Sequence, residues 1–138
     1  MNNQENIDIY KYIDLAIKAR DKAYAPYSKF KVGSLLLLKN GQTILGSNVE
    51  NASYGLSLCA ERNAMFHAYN LGYTKNDIIM LVVVGDTKKP ISPCGACRQV
   101  MVELLPKDCK IILANLNKEY KEYTLEELLP YAFEEVEI

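Results

Sequence analysis

Apolar side chains recur along the start of the chain at helical spacing, at Tyr12, Ile13, Ala16, Ile17, Ala23 and Tyr24. That spacing predicts a first amphipathic helix, which stops before Pro26. Val32–Leu38 then reads as a strand, Lys39-Asn40-Gly41 holds an Asn-Gly hairpin turn, and residues 42–49 return as its partner. A second helix is expected to start near Ser57 or Leu58 and to end at Asn70, before Gly72. The unbroken apolar run 78–84 predicts a buried strand, and 94–105 a third helix stopped by Pro106. Lys110–Asn115 and the short Tyr120–Tyr123 complete the strands. Thr124-Leu125-Glu126-Glu127 is a capping-box pattern that opens a last short helix, ending before Pro130.

Strands interleaved with helices predict an α/β sheet covered by helices, beginning with one antiparallel hairpin. No repeat, low-complexity tract or flexible linker divides the sequence, and 138 residues suit a single domain over 1–138.

Composition mainly excludes. A formal net charge of −1 without long runs of like charge gives no footprint for a phosphate backbone, so no nucleic acid partner is expected. The longest apolar stretches are strand length, so no membrane partner is expected either. The polar N-terminus, Met1 to Asp8, lacks the basic-then-apolar layout of a signal peptide. Four cysteines without an export signal read as metal ligands or free thiols, in a cytoplasmic protein.

Three of those cysteines carry the chemistry. Cys59-Ala60-Glu61 is followed by Pro93-Cys94-Gly95-Ala96-Cys97. A lone Cys-x-x-Cys is weak, because redox pairs and structural zinc knuckles share it. A third cysteine with a carboxylate two residues on makes the signature of zinc-dependent nucleobase deaminases. A hydrolytic zinc takes three protein ligands and leaves its fourth position to water. Cys59, Cys94 and Cys97 are therefore the expected ligands of one zinc per subunit, and Glu61 the general base. Both metal segments open predicted helices, whose N-termini favour thiolates. Three thiolates on Zn²⁺ leave a net charge of −1, which weakens the metal as a Lewis acid, so Arg62 is expected to hydrogen-bond one of them. Other readings of the same residues stay open. Glu61 could close a structural site as fourth ligand, giving an interaction module without chemistry, and Arg62 could be a surface residue. The lone His67 reads as a helix-surface or packing residue, and Cys109 as a free thiol.

The run Asn48-Val49-Glu50-Asn51-Ala52-Ser53-Tyr54-Gly55-Leu56-Ser57-Leu58-Cys59-Ala60-Glu61-Arg62 resembles the cytidine deaminases, specifically their short homotetrameric branch. Residues 25–33, 92–99 and 127–133 resemble the same family in the same order. The resemblance implies a three-layer α/β/α fold with a mixed five-stranded sheet. It implies zinc-dependent hydrolytic deamination of cytidine and 2′-deoxycytidine in pyrimidine salvage, by a homotetramer with active sites at subunit interfaces. Blasticidin S deaminases share the cysteine pattern and are the alternative within the enzyme class. By resemblance, Asn48 and Glu50 bind the ribose 3′-hydroxyl, and the Ala60 amide with Glu61 reads the base edge. Phe30 stacks on the pyrimidine, Phe133 from a neighbouring subunit closes the other side, and Tyr54 lies near the sugar's 5′ end. Composition alone would instead put both phenylalanines in the core. Asn63 and Tyr131 depart from the family's usual residues, the first bearing on helix packing and the second on the inter-subunit lid.

Overall fold

The computed structural model describes residues 7–134. Most of the polar N-terminal stretch read above lies outside them. Helix α1 (Ile9–Arg20) is capped by Asp8, whose carboxylate accepts from the Lys11 amide, and it buries Ile13, Ala16 and Ala19. Strand β1 (Val32–Leu38) turns at Asn40-Gly41 into β2 (Thr43–Ser47). Gly41 takes φ +87°, the left-handed conformation that an Asn-Gly hairpin needs. Then follow α2 (Ala60–Asn70), β3 (Ile78–Gly85), α3 (Gly95–Leu104), β4 (Lys110–Asn115), β5 (Tyr120–Tyr123) and α4 (Leu125–Leu128). Thr124 and Glu127 close the predicted capping box on α4.

The strands form one sheet in the order β2-β1-β3-β4-β5. Only β3 and β4 run parallel; the other three pairings are antiparallel. The sheet is mixed and five-stranded, as the family resemblance implied. Alternation along the strands builds a core on each face. Leu35, Leu37, Met80, Val82 and Val84 meet Ile13 and Ala16 of α1. Leu36, Leu38, Leu81 and Val83 meet Ala64, Met65 and Ala68 of α2 and Met101 of α3. The central strand β3 is buried on both faces, which is why it reads as an unbroken apolar run rather than an alternating one. Three layers result.

Two predicted boundaries shift, both to serve the same corner. Helix α1 ends at Arg20 instead of running to Tyr24, because the Tyr24 backbone is taken by a parallel bridge to Val49. Tyr24 N–H donates to Asn48 O at 2.9 Å, and Glu50 N–H donates to Tyr24 O at 2.8 Å. β2 likewise stops at Ser47 rather than Val49, since Asn48 to Glu50 leaves the sheet to make that bridge and a second one between Val49 and Leu58. Cys109 is a buried free thiol, as expected, and burial pushes its pKa up to about 12. His67 is exposed on α2. Among the described residues, no helix is long and apolar enough to cross a membrane.

Close packing at Gly46 fixes the start of α2. A Cβ there would meet Ala60 O at 2.6 Å and Ala64 N at 2.7 Å. Buried Ser34 donates to the same Ala60 O at 2.7 Å, and Asn63 Nδ2 donates to Ser47 O at 2.8 Å. Asn63 thus ties the helix to the edge strand. A Gly46→Ala chain should lose ~1–3 kcal/mol of stability, the ordinary cost of overpacking against backbone that cannot yield. Urea unfolding measures it, and an unchanged midpoint would show that α2 slides freely on β2.

Candidate active site

Two helix starts converge at one end of the sheet. Cys59 is the N-cap of α2 and Cys94 the N-cap of α3, with Cys97 in the first turn of α3. The cysteines expected inside the helices thus stand partly at their thresholds, where extended backbone (ψ 153° and 163°) turns the two cap residues toward each other. The Cys59, Cys94 and Cys97 sulfurs lie within 4.8 Å of one another, and Cys59 Sγ is 3.9 Å from Cys94 Sγ. Tetrahedral zinc with bonds of about 2.3 Å puts its sulfurs about 3.8 Å apart. The donor set fits the ion in chemistry and in span.

The electrostatics agree with that use. Cys97 as a hydrogen-bonding partner, and then Arg62, hold Cys59 down at about 5, against a counteracting cost of burial. Cys97, fully buried, is driven up by its hydrogen-bonding to Cys59 and by burial. Arg62 Nη2 donates to Cys59 Sγ at 3.4 Å, and that bond keeps the guanidinium firmly charged. The Cys97 amide donates to Cys94 Sγ at 3.4 Å, a helix-start N–H spent on a sulfur.

Glu61 is 4% exposed, in the first turn of α2. Burial raises its pKa to about 7, opposed by its own backbone amide and helped by the Cys59 charge. A bound cation acts in the opposite sense, toward the carboxylate. Ala60, on the turn between Cys59 and Glu61, is fully buried and its residue also borders the cavity.

That cavity holds about 250 Å³ and joins most of the remaining sequence-predicted residues. Phe30, Asn48, Glu50, Tyr54, Cys59, Ala60, Glu61 and Cys94 line it. Phe133 does not: it is 65% exposed, and its carbonyl accepts from Gln99 Nε2 at 2.7 Å. Phe30 is also exposed, at 38%, so the core assignment that composition favoured fails for both rings. Tyr131, the other departure noted above, is fully exposed at φ +57°.

Asn48 keeps one donor and one acceptor site open, and Glu50 one acceptor site. Asn48 Oδ1 accepts from Val32 N at 2.8 Å, and Nδ2 donates one proton to Phe30 O at 2.9 Å. The second Nδ2 proton and the second Oδ1 lone pair are left. Glu50 Oε1 accepts from the Tyr27 and Ser28 amides at 3.0 and 3.1 Å, and Oε2 accepts from Ser28 Oγ. A carboxylate has about four acceptor sites, so one remains. Ser28's hydrogen bond, before all else, keeps Glu50 below the usual carboxylate range.

Sequence reasoning passed over Ser28, Ile91 and Ser92, which also line the cavity. Ser28 carried a signal, a serine in a Pro-Tyr-Ser turn whose hydroxyl accepts from the amide two residues on. Ile91 carried none, since its place depends on the turn after β3. There it faces Gly85, where a Cβ would meet Ile91 Cδ1 at 2.6 Å and Phe30 Cζ at 3.1 Å.

A profile described as the cytidine and deoxycytidylate deaminase zinc-binding region matches residues 7–113. The chain belongs to the cytidine deaminase family. It is 54% identical over 127 residues to the cytidine deaminase of Halalkalibacterium halodurans, covering 92% of this chain and 95% of that one. The crystal structure of cytidine deaminase from Burkholderia pseudomallei superposes with a TM-score of 0.89 at 47% identity, covering 92% of this chain and all of that one. The Mycobacterium tuberculosis enzyme superposes at 0.78 with 34% identity, covering 93% and 98%. This chain is accordingly a zinc-binding hydrolase of that family, and the matched region contains all three clustered cysteines.

Replacing Cys59, Cys94 or Cys97 by Ala should take zinc from about one per chain to near zero. Cys109→Ala, buried elsewhere, should keep it. Elemental analysis of the four purified variants decides, and equal loss from Cys109→Ala would overturn the ligand assignment.

Proposed function

We propose that the chain deaminates cytidine and 2′-deoxycytidine hydrolytically to uridine and 2′-deoxyuridine, releasing ammonia for pyrimidine salvage, as one catalytic domain. The observation that carries this reading is a buried carboxylic acid beside three clustered thiols, bordering a cavity that Asn48 and Glu50 also line with a donor and acceptor sites still open. Zinc held by Cys59, Cys94 and Cys97 supplies Lewis-acid activation of the attacking water.

Glu61 takes a proton from the water and passes it to ring N3 as oxygen bonds to C4. It then takes the remaining hydroxyl proton and gives it to the exocyclic amine, which leaves as ammonia while the C4 carbonyl forms. One desolvated carboxyl serves every transfer, and its burial supports that role. The Ala60 amide and Glu61 read the base edge. Arg62 draws charge from Cys59, which offsets the excess of negative charge on the thiolate set.

The sugar reading rests on the family resemblance, which assigns the ribose 3′-hydroxyl to Asn48 and Glu50. Hydrogen-bonding capacity supports it: a hydroxyl both donates and accepts, and the pair leaves a donor and acceptor sites open. Nothing in that pair distinguishes a 2′-hydroxyl, hence the assignment of both nucleosides. Phe30 stacks on the pyrimidine, and Tyr54 lies toward the 5′ end. Phe133, exposed and outside the cavity lining of its own chain, is assigned to a neighbour's site in a homotetramer. The exposed Tyr54, Leu56 and Tyr131 side chains support burial of this side by other subunits.

Glu61→Gln should keep zinc and fold while turnover of both nucleosides falls ~10⁴-fold, the upper end for acid–base catalysis by a single group. Ultraviolet assays follow the loss of cytidine. Near-normal turnover would mean that another base acts, and a wild-type enzyme inert on both nucleosides would overturn the substrate reading.

Shared sites predict complementation. Glu61→Gln subunits mixed with Phe133→Ala subunits, each weak alone, should recover activity at sites that combine intact Glu61 with a donated Phe133. Absence of recovery despite proven subunit exchange, or an active monomer in sedimentation, would refute sharing.

A further inference from the structure

We propose that Ser28 is a positioning residue that sets the enzyme's selectivity for the nucleoside 3′-hydroxyl by holding Glu50 and Phe30 in one fixed relation. The inference rests on the reading that Glu50 accepts that hydroxyl. Its own support is the hydrogen-bond pattern of the turn between α1 and β1.

Ser28 Oγ has one proton and two lone pairs. The proton goes to Glu50 Oε2, and a lone pair accepts from the Phe30 amide at 3.0 Å. One exposed hydroxyl therefore joins the side chain proposed to read the sugar to the backbone of the ring proposed to stack on the base. Between them Lys29 adopts φ +61°, a conformation in which non-glycine residues are held only by their surroundings. Its amide donates to Ala25 O at 3.0 Å, and Ser28 Oγ fixes the next amide along. Without the hydroxyl, nothing on that side chain holds Phe30's amide, and the turn gains freedom to relax.

The effect on Glu50 is more specific. Oε1 is filled by the Tyr27 and Ser28 amides. Oε2 therefore has to carry the remaining acceptor site, and the Ser28 hydroxyl occupies one of its two lone pairs. Which direction stays open to the cavity is decided by that occupancy. Loss of the hydroxyl lets water take either position and lets the carboxylate rotate about its terminal torsion, which is intrinsically soft. Binding of a 3′-hydroxyl then weakens while Glu61 and the cysteines are untouched.

The test compares cytidine with 3′-deoxycytidine on wild type, Ser28→Ala, Ser28→Thr and Glu50→Gln. Hydrogen bonds to a charged group are strong enough that their loss is read as a tenfold effect or more. Ser28→Ala should raise KM for cytidine about tenfold with a much smaller change in kcat, and should cut the preference for cytidine over 3′-deoxycytidine by a similar factor. Ser28→Thr, which keeps the hydroxyl, should restore both. Equal weakening toward the two substrates would reduce Ser28 to loop support and overturn the proposal, as would an unchanged preference. Glu50→Gln separates the two levels. If it retains wild-type preference for the 3′-hydroxyl, the sugar reading itself fails; if it loses that preference while Ser28→Ala keeps it, only the role of Ser28 fails.

Discussion

Three sulfurs within 4.8 Å of one another form the constraint around which the rest is arranged. Like charges at that distance repel strongly where water is excluded. The chain answers with short-range positive potential. Two helices begin at the cluster, so unpaired amides and the positive ends of two helix dipoles face it. Arg62 adds a full charge one turn along α2 from Cys59. Even so, Cys97 is driven toward the protonated form. A divalent ion at the cluster adds positive charge where the helix starts already concentrate it.

Holding two helix starts in one place is a packing problem, and it is solved from the sheet outward. Gly46 lacks the Cβ that would strike Ala60 and Ala64, which lets the first turn of α2 lie on β2. Ser34 in the buried centre of β1 spends its hydroxyl on the Ala60 carbonyl. Arg98 does the matching work for α3, donating to Pro93 O, Ser92 Oγ and Leu128 O, so the metal segment, its helix and the C-terminal turn move together. Buried polar groups such as Ser34 are tolerable because they are paired, and their pairing is what makes the helix positions unique.

Much of this was legible because periodicity reports burial. The two-sided core made β3 an unbroken apolar run, and the Asn-Gly turn and the Thr124–Glu127 box acted through local chemistry alone. The clustering of Cys59, Cys94 and Cys97 was legible because metal chemistry needs particular atoms at a spacing that helix starts can satisfy. What could not be read was tertiary competition for backbone. Ala23 and Tyr24 continue the helical pattern, yet the Tyr24 amide and carbonyl go to Asn48 and Glu50. The two aromatic rings failed for a related reason: size and apolarity favour the core, whereas exposure at a cavity rim depends on where a loop ends.

The same competition separates the chemical and recognition halves of the site. Glu61, Ala60 and Cys97 are at most 4% exposed, and they stand on the first turns of helices pressed against the sheet. Atoms that transfer protons need errors well below an ångström, and packed elements deliver that. Phe30, Asn48 and Glu50 belong instead to segments released from α1 and β2, tied to one another by side-chain bonds to backbone. Together with the Ser28 hydroxyl, those bonds take three of the about four acceptor sites of Glu50 and half the capacity of Asn48. Side chains committed elsewhere have few directions left in which to bind. Under the proposed sugar role, a side chain with more open sites would bind water as readily as sugar, so the structural load on Asn48 and Glu50 is compatible with recognition rather than opposed to it.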